Sequence, residues 1–169
     1  MAFTIHSASV PIFVRMLTNA LAWLDAAEAH AKERGFDPDL HLQLRLAPDM
    51  FPLVRQIQIA SDAVKGCVAR LAGVEPPKWA DDETTLDALR ARIRTTIEYA
   101  QSVPASAFEG AETRAISLPI GPDRKIEFTG ETFLAHFSLP NFFFHVTTTY
   151  ALLRQAGVKL GKMDYLGAP

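Results

Sequence analysis

A lone cysteine, Cys67, excludes an internal disulfide and leaves no Cys-x-x-Cys pair for zinc or redox work. It reads as a small apolar side chain on the second helix. An excess of charge of one sign is also missing. With 17 Lys and Arg against 19 Asp and Glu, the net charge is -2, so there is no basic stripe for nucleic acid and neither DNA nor RNA is an expected partner. No apolar run approaches the ~20 residues of a membrane span, and the N-terminus lacks a basic segment followed by an apolar block and a cleavage site. The expected location is therefore the cytoplasm, with no membrane partner. A Gly-rich phosphate loop, a G-x-S-x-G elbow and a pair of carboxylates at catalytic spacing are absent as well. What is present is a chain with 49% hydrophobic and 21% charged residues, the composition of one globular domain over residues 1–169.

The stretch from Glu131 to Gly157 organises the rest. It is apolar on nearly every side as far as Val146, with Phe133, Phe137, Phe142, Phe143 and Phe144, and a helix apolar all round belongs in the middle of a fold. Asn141, His145, Thr148 and Tyr150 bring polar groups into the same stretch. Pro140 removes a backbone donor, so the helix either kinks or restarts there.

Three further helices are expected. The first starts at a Ser9 cap with Pro11 in its first turn, buries Ile12, Met16, Ala20, Trp23, Ala27 and Ala31, and stops at Gly35. Residues 36–49 form an ordered connector in which His41 reads as an exposed loop histidine; His6 and His30 read as solvated. The second helix runs from about Met50 to Gly73 on a stripe of Leu53, Ile57, Ala60, Val64, Val68 and Leu71. On its flank, Gln58, Ser61, Asp62 and Lys65 face either a cleft or water, Asp62 and Lys65 making an ordinary surface pair in the second case. After Pro76-Pro77-Lys78-Trp79 comes a third, outer helix, capped at Thr84 and buried along Leu86, Leu89, Ile93 and Ile97, with Arg90, Arg92 and Arg94 on a solvated face. Alternation in 115–120 and 125–128 around the turn residues 121–124 predicts a hairpin that must lie against the helices. The tail, 158–169, predicts a strap across one end. The fold class is all-α: an up-and-down four-helix bundle with a small β-hairpin between helices 3 and 4.

Chemistry has one place to gather. Asn141 and His145 share a helical face at i, i+4, whereas His136, nine residues before His145, lies half a turn away. A helical His-x3-His pair chelates a divalent ion, but an asparagine amide oxygen is a poor ligand for zinc or nickel. His145 is thus a general base, a sole histidine metal ligand, or a buried histidine bonded to Asn141 or Thr149. Asp62 or Asp49 is its candidate carboxylate partner, and Gln58, Lys65 and Tyr150 are candidate ligand contacts.

Leu46-Ala47-Pro48-Asp49-Met50-Phe51-Pro52-Leu53, Gln56-Ile57-Gln58-Ile59-Ala60, Arg70-Leu71-Ala72-Gly73, Pro140-Asn141-Phe142-Phe143-Phe144-His145-Val146-Thr147-Thr148 and Asp164-Tyr165-Leu166-Gly167 together resemble the bacterial and fungal domain of unknown function family 1993, within the DinB/YfiT-like group. The resemblance implies a four-helix bundle with a long crossover, a homodimer and, in members of the group that do chemistry, a divalent metal on three histidines serving thiol-dependent transferases or isomerases. Aligned on Leu152-Leu153-Arg154-Gln155-Ala156-Gly157, His145 takes the second histidine of the helix-4 pair, Asn141 the first, and Gln58 or a near neighbour the helix-2 position. One histidine of three remains. The resemblance therefore implies a degenerate or altered metal site for zinc or nickel in a polar inter-helix pocket of Gln58, Asp62, Asn141 and His145, with a non-catalytic ligand-binding or structural bundle as the alternative.

Overall fold

A computed structural model describes residues 3–121 and 123–167. Pro122 of the expected hairpin turn and residues 168–169 of the expected tail lie outside the described residues. Helix α1, Val10–Arg34, ends on Gly35 in the left-handed region, whose N–H reaches back to Lys32. Ser9 stands at its N-cap position, but the hydroxyl donates to the Ile5 carbonyl at 2.7 Å instead of accepting from the helix. Phe13, not Ile12, carries the first buried turn; the stripe then follows Met16, Ala20, Trp23, Ala27 and Ala31 as expected.

The connector folds into a 3₁₀ turn, Pro38–Gln43, and α2 follows at Leu53–Ala72. It starts at Leu53 rather than Met50 because Pro52, extended at φ -70 and ψ 167, holds the N-cap position. All six residues of its expected apolar stripe are buried. Helix α3, Leu86–Ser102, is capped by Thr85, one residue later than expected, whose hydroxyl accepts from the Ala88 N–H at 3.1 Å.

Strands β1, Ala115–Pro119, and β2, Lys125–Thr129, pair antiparallel with Ile116 opposite Phe128. Ile116 is buried, and Phe128 packs on Phe133 and Phe137 with ring centroids 5.7 and 5.8 Å away, so the hairpin rests on the last long helix. Thr129 and Thr132 then open that helix with a reciprocal cap. Gly130 is obligatory, since a Cβ there would lie 1.8 Å from the Ala111 carbonyl oxygen.

The α-helix begins again around Pro140, with no break in the helical run. Helix α4, Gly130–Phe133, passes through a π turn, Leu134–Ser138, directly into α5, Leu139–Gln155, where Pro140 occupies the first turn. The wider turn accommodates the proline's missing N–H. Helix α6, Lys162–Leu166, lies along α1. There the Trp23 indole donates to the Asp164 carbonyl and the Asn19 amide to that of Tyr165, both at 2.9 Å. The strap therefore runs along a side of α1 rather than across an end.

Four long helices make the bundle. α2 packs on α3 and α5, and α1 packs on the same two, so α1 and α2 occupy opposite corners with the connector crossing between them. The expectation of an enclosed central phenylalanine rod is corrected by this arrangement: α5 is one corner of four, with Phe142 buried against Phe13 at 4.9 Å and Phe144 left 55% exposed.

Candidate functional site

The α2–α5 contact carries a chain of hydrogen bonds that determines a proton's position. The Phe51 carbonyl can only accept, so the Gln56 amide nitrogen, 2.9 Å away, must face it. The Gln56 carbonyl oxygen is thereby turned to His145 Nδ1 at 2.7 Å, and Nδ1 carries the hydrogen. In the neutral ring the lone pair then sits on Nε2. Burial lowers the His145 pKa from its ordinary value, because taking the imidazole out of water penalises the cation. The ring lies edge-on to Phe144 at 5.2 Å. Thr149, expected as a side-chain partner, donates its hydroxyl to the His145 backbone carbonyl at 2.9 Å instead.

Gln56 was not among the expected site residues, yet its signal was available. It lies three residues after Leu53 and four before Ala60, inside the apolar stripe, and a polar group there must find a partner.

The remaining candidates divide between other places. Gln58 is buried on the α3 side, its amide nitrogen donating to Glu83 at 2.7 Å and its oxygen accepting from Arg55 at 2.8 Å. Asp62 accepts from Arg92 at 2.9 Å and pairs with Lys65 at 2.7 Å, and the Lys65 ammonium sits 4.7 Å from the Trp79 ring centroid. Arg90 and Arg92 were expected on a solvated face; both are buried, and only Arg94 is exposed. Arg92 binds Asp62, Asp81 and Glu83 together with the Ala80 carbonyl, and Arg90 binds Asp25, Glu28 and Asp87. Burial works against the Arg92 charge, but Glu83, Asp62 and Asp81 outweigh it and raise its pKa. Asp49 is exposed in the turn before α2, and Tyr150 is wedged between Trp23 and Tyr165.

Asp62 and Asn141 do reach one cleft, of about 180 Å³, between α2, the π turn and the start of α5. Cys67 lines it too, but burial pushes its thiol up to about 12, which leaves it protonated and unreactive. His145 lies one helical turn beyond Asn141.

The model of the family described as Domain of unknown function (DUF1993) matches residues 5–166. The chain belongs to this family. A crystal structure of a DinB family member from Shewanella denitrificans is similar at 43% identity and a TM-score of 0.90, the alignment covering 97% of this chain and 92% of that one. No curated protein matches. As a DUF1993 member, the chain is a helical bundle with an inserted hairpin, and its fold matches that of this DinB neighbour. Its donors do not fit the metal site that the resemblance implied. Among the described residues, no group of three or more His, Cys, Asp or Glu is placed to hold an ion. Gln58, at the expected helix-2 position, faces α3 and is held there by Glu83 and Arg55. Among the described residues, no helix is long and apolar enough to cross a membrane.

Proposed function

We propose that this chain is a small-molecule-binding protein in which an altered site, built on an organic acceptor rather than a metal, lies at the α2–α5 face. The observation that carries the reading is the Phe51–Gln56–His145 chain, which puts a hydrogen on Nδ1 and, in the neutral ring that burial favours, leaves the lone pair on Nε2. Exposed Phe51 and Phe144, each 55% accessible, flank the pair. The complementary ligand has an apolar or aromatic body and one hydrogen-bond donor, such as a hydroxyl or a thiol. If bond-making follows, His145 is the base that receives the donor's proton at Nε2, with Asn141 in the neighbouring cleft orienting the rest of the molecule. A second copy of the chain is the expected partner, and this phenylalanine pair is the apolar surface it would share with the ligand.

Fragment screening by ¹H–¹⁵N NMR tests the reading. Donor-bearing aromatic fragments are expected to shift Gln56 and His145, and His145→Phe is expected to abolish those shifts. Shifts that persist in the variant, or cluster elsewhere, overturn it. Elemental analysis after incubation with zinc and nickel tests the metal-independent part: one retained equivalent that His145→Phe removes would restore a metal site. A structural role is the second reading, favoured by the full engagement of Gln58, Asp62 and Lys65 in ion pairs and hydrogen bonds. It predicts that His145→Ala lowers stability while no fragment binds either protein.

A further inference from the structure

The connector histidine expected in solvent is buried. His41 is 2% exposed, and its Nδ1 lies 2.9 Å from the Pro38 carbonyl. A carbonyl only accepts, so Nδ1 carries the hydrogen and the lone pair falls on Nε2, which is buried and has no hydrogen-bond partner among the described residues. His30, half-buried near the end of α1, likewise has a buried Nδ1 without a partner. Its other edge, Nε2, faces the turn at Gly157, where a Cβ would lie 3.4 Å away. Two buried imidazole nitrogens without hydrogen-bond partners among the described residues are costly unless something binds them.

The spacing of the two ring centres is compatible with a shared ion. An imidazole nitrogen binds zinc or copper at about 2 Å and lies roughly 1 Å from its ring centre, so two rings on one ion have centres about 5 Å apart at a tetrahedral angle and about 6 Å in a line. His30 and His41 are separated by 5.9 Å, towards the linear end. The Pro38 contact is also the kind that orients a metal-binding histidine: a backbone carbonyl takes one ring N–H and aims the other nitrogen.

The surroundings select the ion's charge. Phe36 covers both rings, edge-on to His30 at 5.8 Å and tilted against His41 at 5.3 Å. Nearby carboxylates are engaged elsewhere, Asp37 with the Asp39 N–H, Asp39 with the Leu86 N–H and Glu33 with Lys159. Two neutral donors in an apolar setting cannot offset a doubly charged ion, whose desolvation cost rises with the square of its charge. We propose that His30 and His41 form a site for a monovalent soft transition-metal ion, copper(I), independent of the His145 face. Copper accepts imidazole ligands, and the monovalent ion tolerates two of them in a near-linear arrangement.

Anaerobic titration of the full chain with copper(I), against the chelator bicinchoninate, tests the site. One equivalent is expected to be retained, with affinity at least about tenfold weaker in His30→Gln and in His41→Gln and unchanged in His136→Gln and His145→Gln. Circular dichroism checks that each variant folds; should His41→Gln fail to fold, the half-buried His30 decides. Zinc(II), titrated in parallel, is expected to bind more weakly. Failure to retain copper, equal retention by His30→Gln, tighter zinc binding, or a loss confined to His145→Gln would each overturn the assignment.

Discussion

On its α3 side, helix α2 carries Gln58, Asp62 and Lys65 into a web with Arg55, Asp81, Glu83 and Arg92. On its α5 side it carries one glutamine, Gln56, to one imidazole. Residues two apart on a helix point about 200° from each other, so Gln56 and Gln58 serve opposite neighbours. The web consists of charges that compensate one another, and it ties the segment before α3 to the bundle through the Arg92 bond to the Ala80 carbonyl. Every candidate ligand contact on that side is already in use. The His145 face instead holds a neutral ring whose second nitrogen remains an acceptor. The densest charge on α2 therefore sits where its groups satisfy one another, and the open acceptor sits elsewhere.

Breaking the web should have the largest effect. Arg92→Met leaves Glu83, whose side chain is 9% exposed, without its cation, and the cost of a broken buried pair is about 3 kcal/mol or more, read as a lowered urea midpoint. Gln56→Ala should cost about 1–3 kcal/mol by stranding the His145 N–H, again by urea titration. Gln56→Glu sharpens the contrast by importing charge to the neutral face. A carboxylate at that position should raise the His145 pKa above its value in the parent protein, which NMR titration of the ring proton would show.

Acidification comes next. The unfolded chain protonates this imidazole below about pH 6.5, whereas burial lowers the folded-state value. The stability that neutral His145 contributes is thus fully present above that pH and is lost as pH falls towards the folded pKa. His145→Gln should flatten this part of the profile, and an unaltered slope in urea melts between neutral pH and pH 5 would refute the assignment. The smallest effect belongs to Pro140→Ala, within about 1 kcal/mol, because the π turn already accommodates the missing donor.

Much of the architecture was legible because it follows from local patterning. The α2 stripe, the Gly35 and Gly73 stops and the hairpin pairing depend on periodicity and turn chemistry that neighbouring residues set. The candidate site was less legible. The partner of His145 lies 89 positions away in the chain; the apolar stripe marks Gln56 as buried, but no local pattern states that this imidazole is what it meets. Arg90 and Arg92 looked like surface residues for the same reason: apart from Asp87, their carboxylates come from α1, α2 and the linker before α3.

By itself, then, the sequence determined the helical bundle, its hairpin and its family, since hydrophobic period and capping act over a few residues. Only the tertiary structure decided which polar groups meet. Whether a glutamine, an arginine or the His30 and His41 imidazoles are satisfied depends on groups brought from distant segments at helix corners, and burial makes that pairing obligatory.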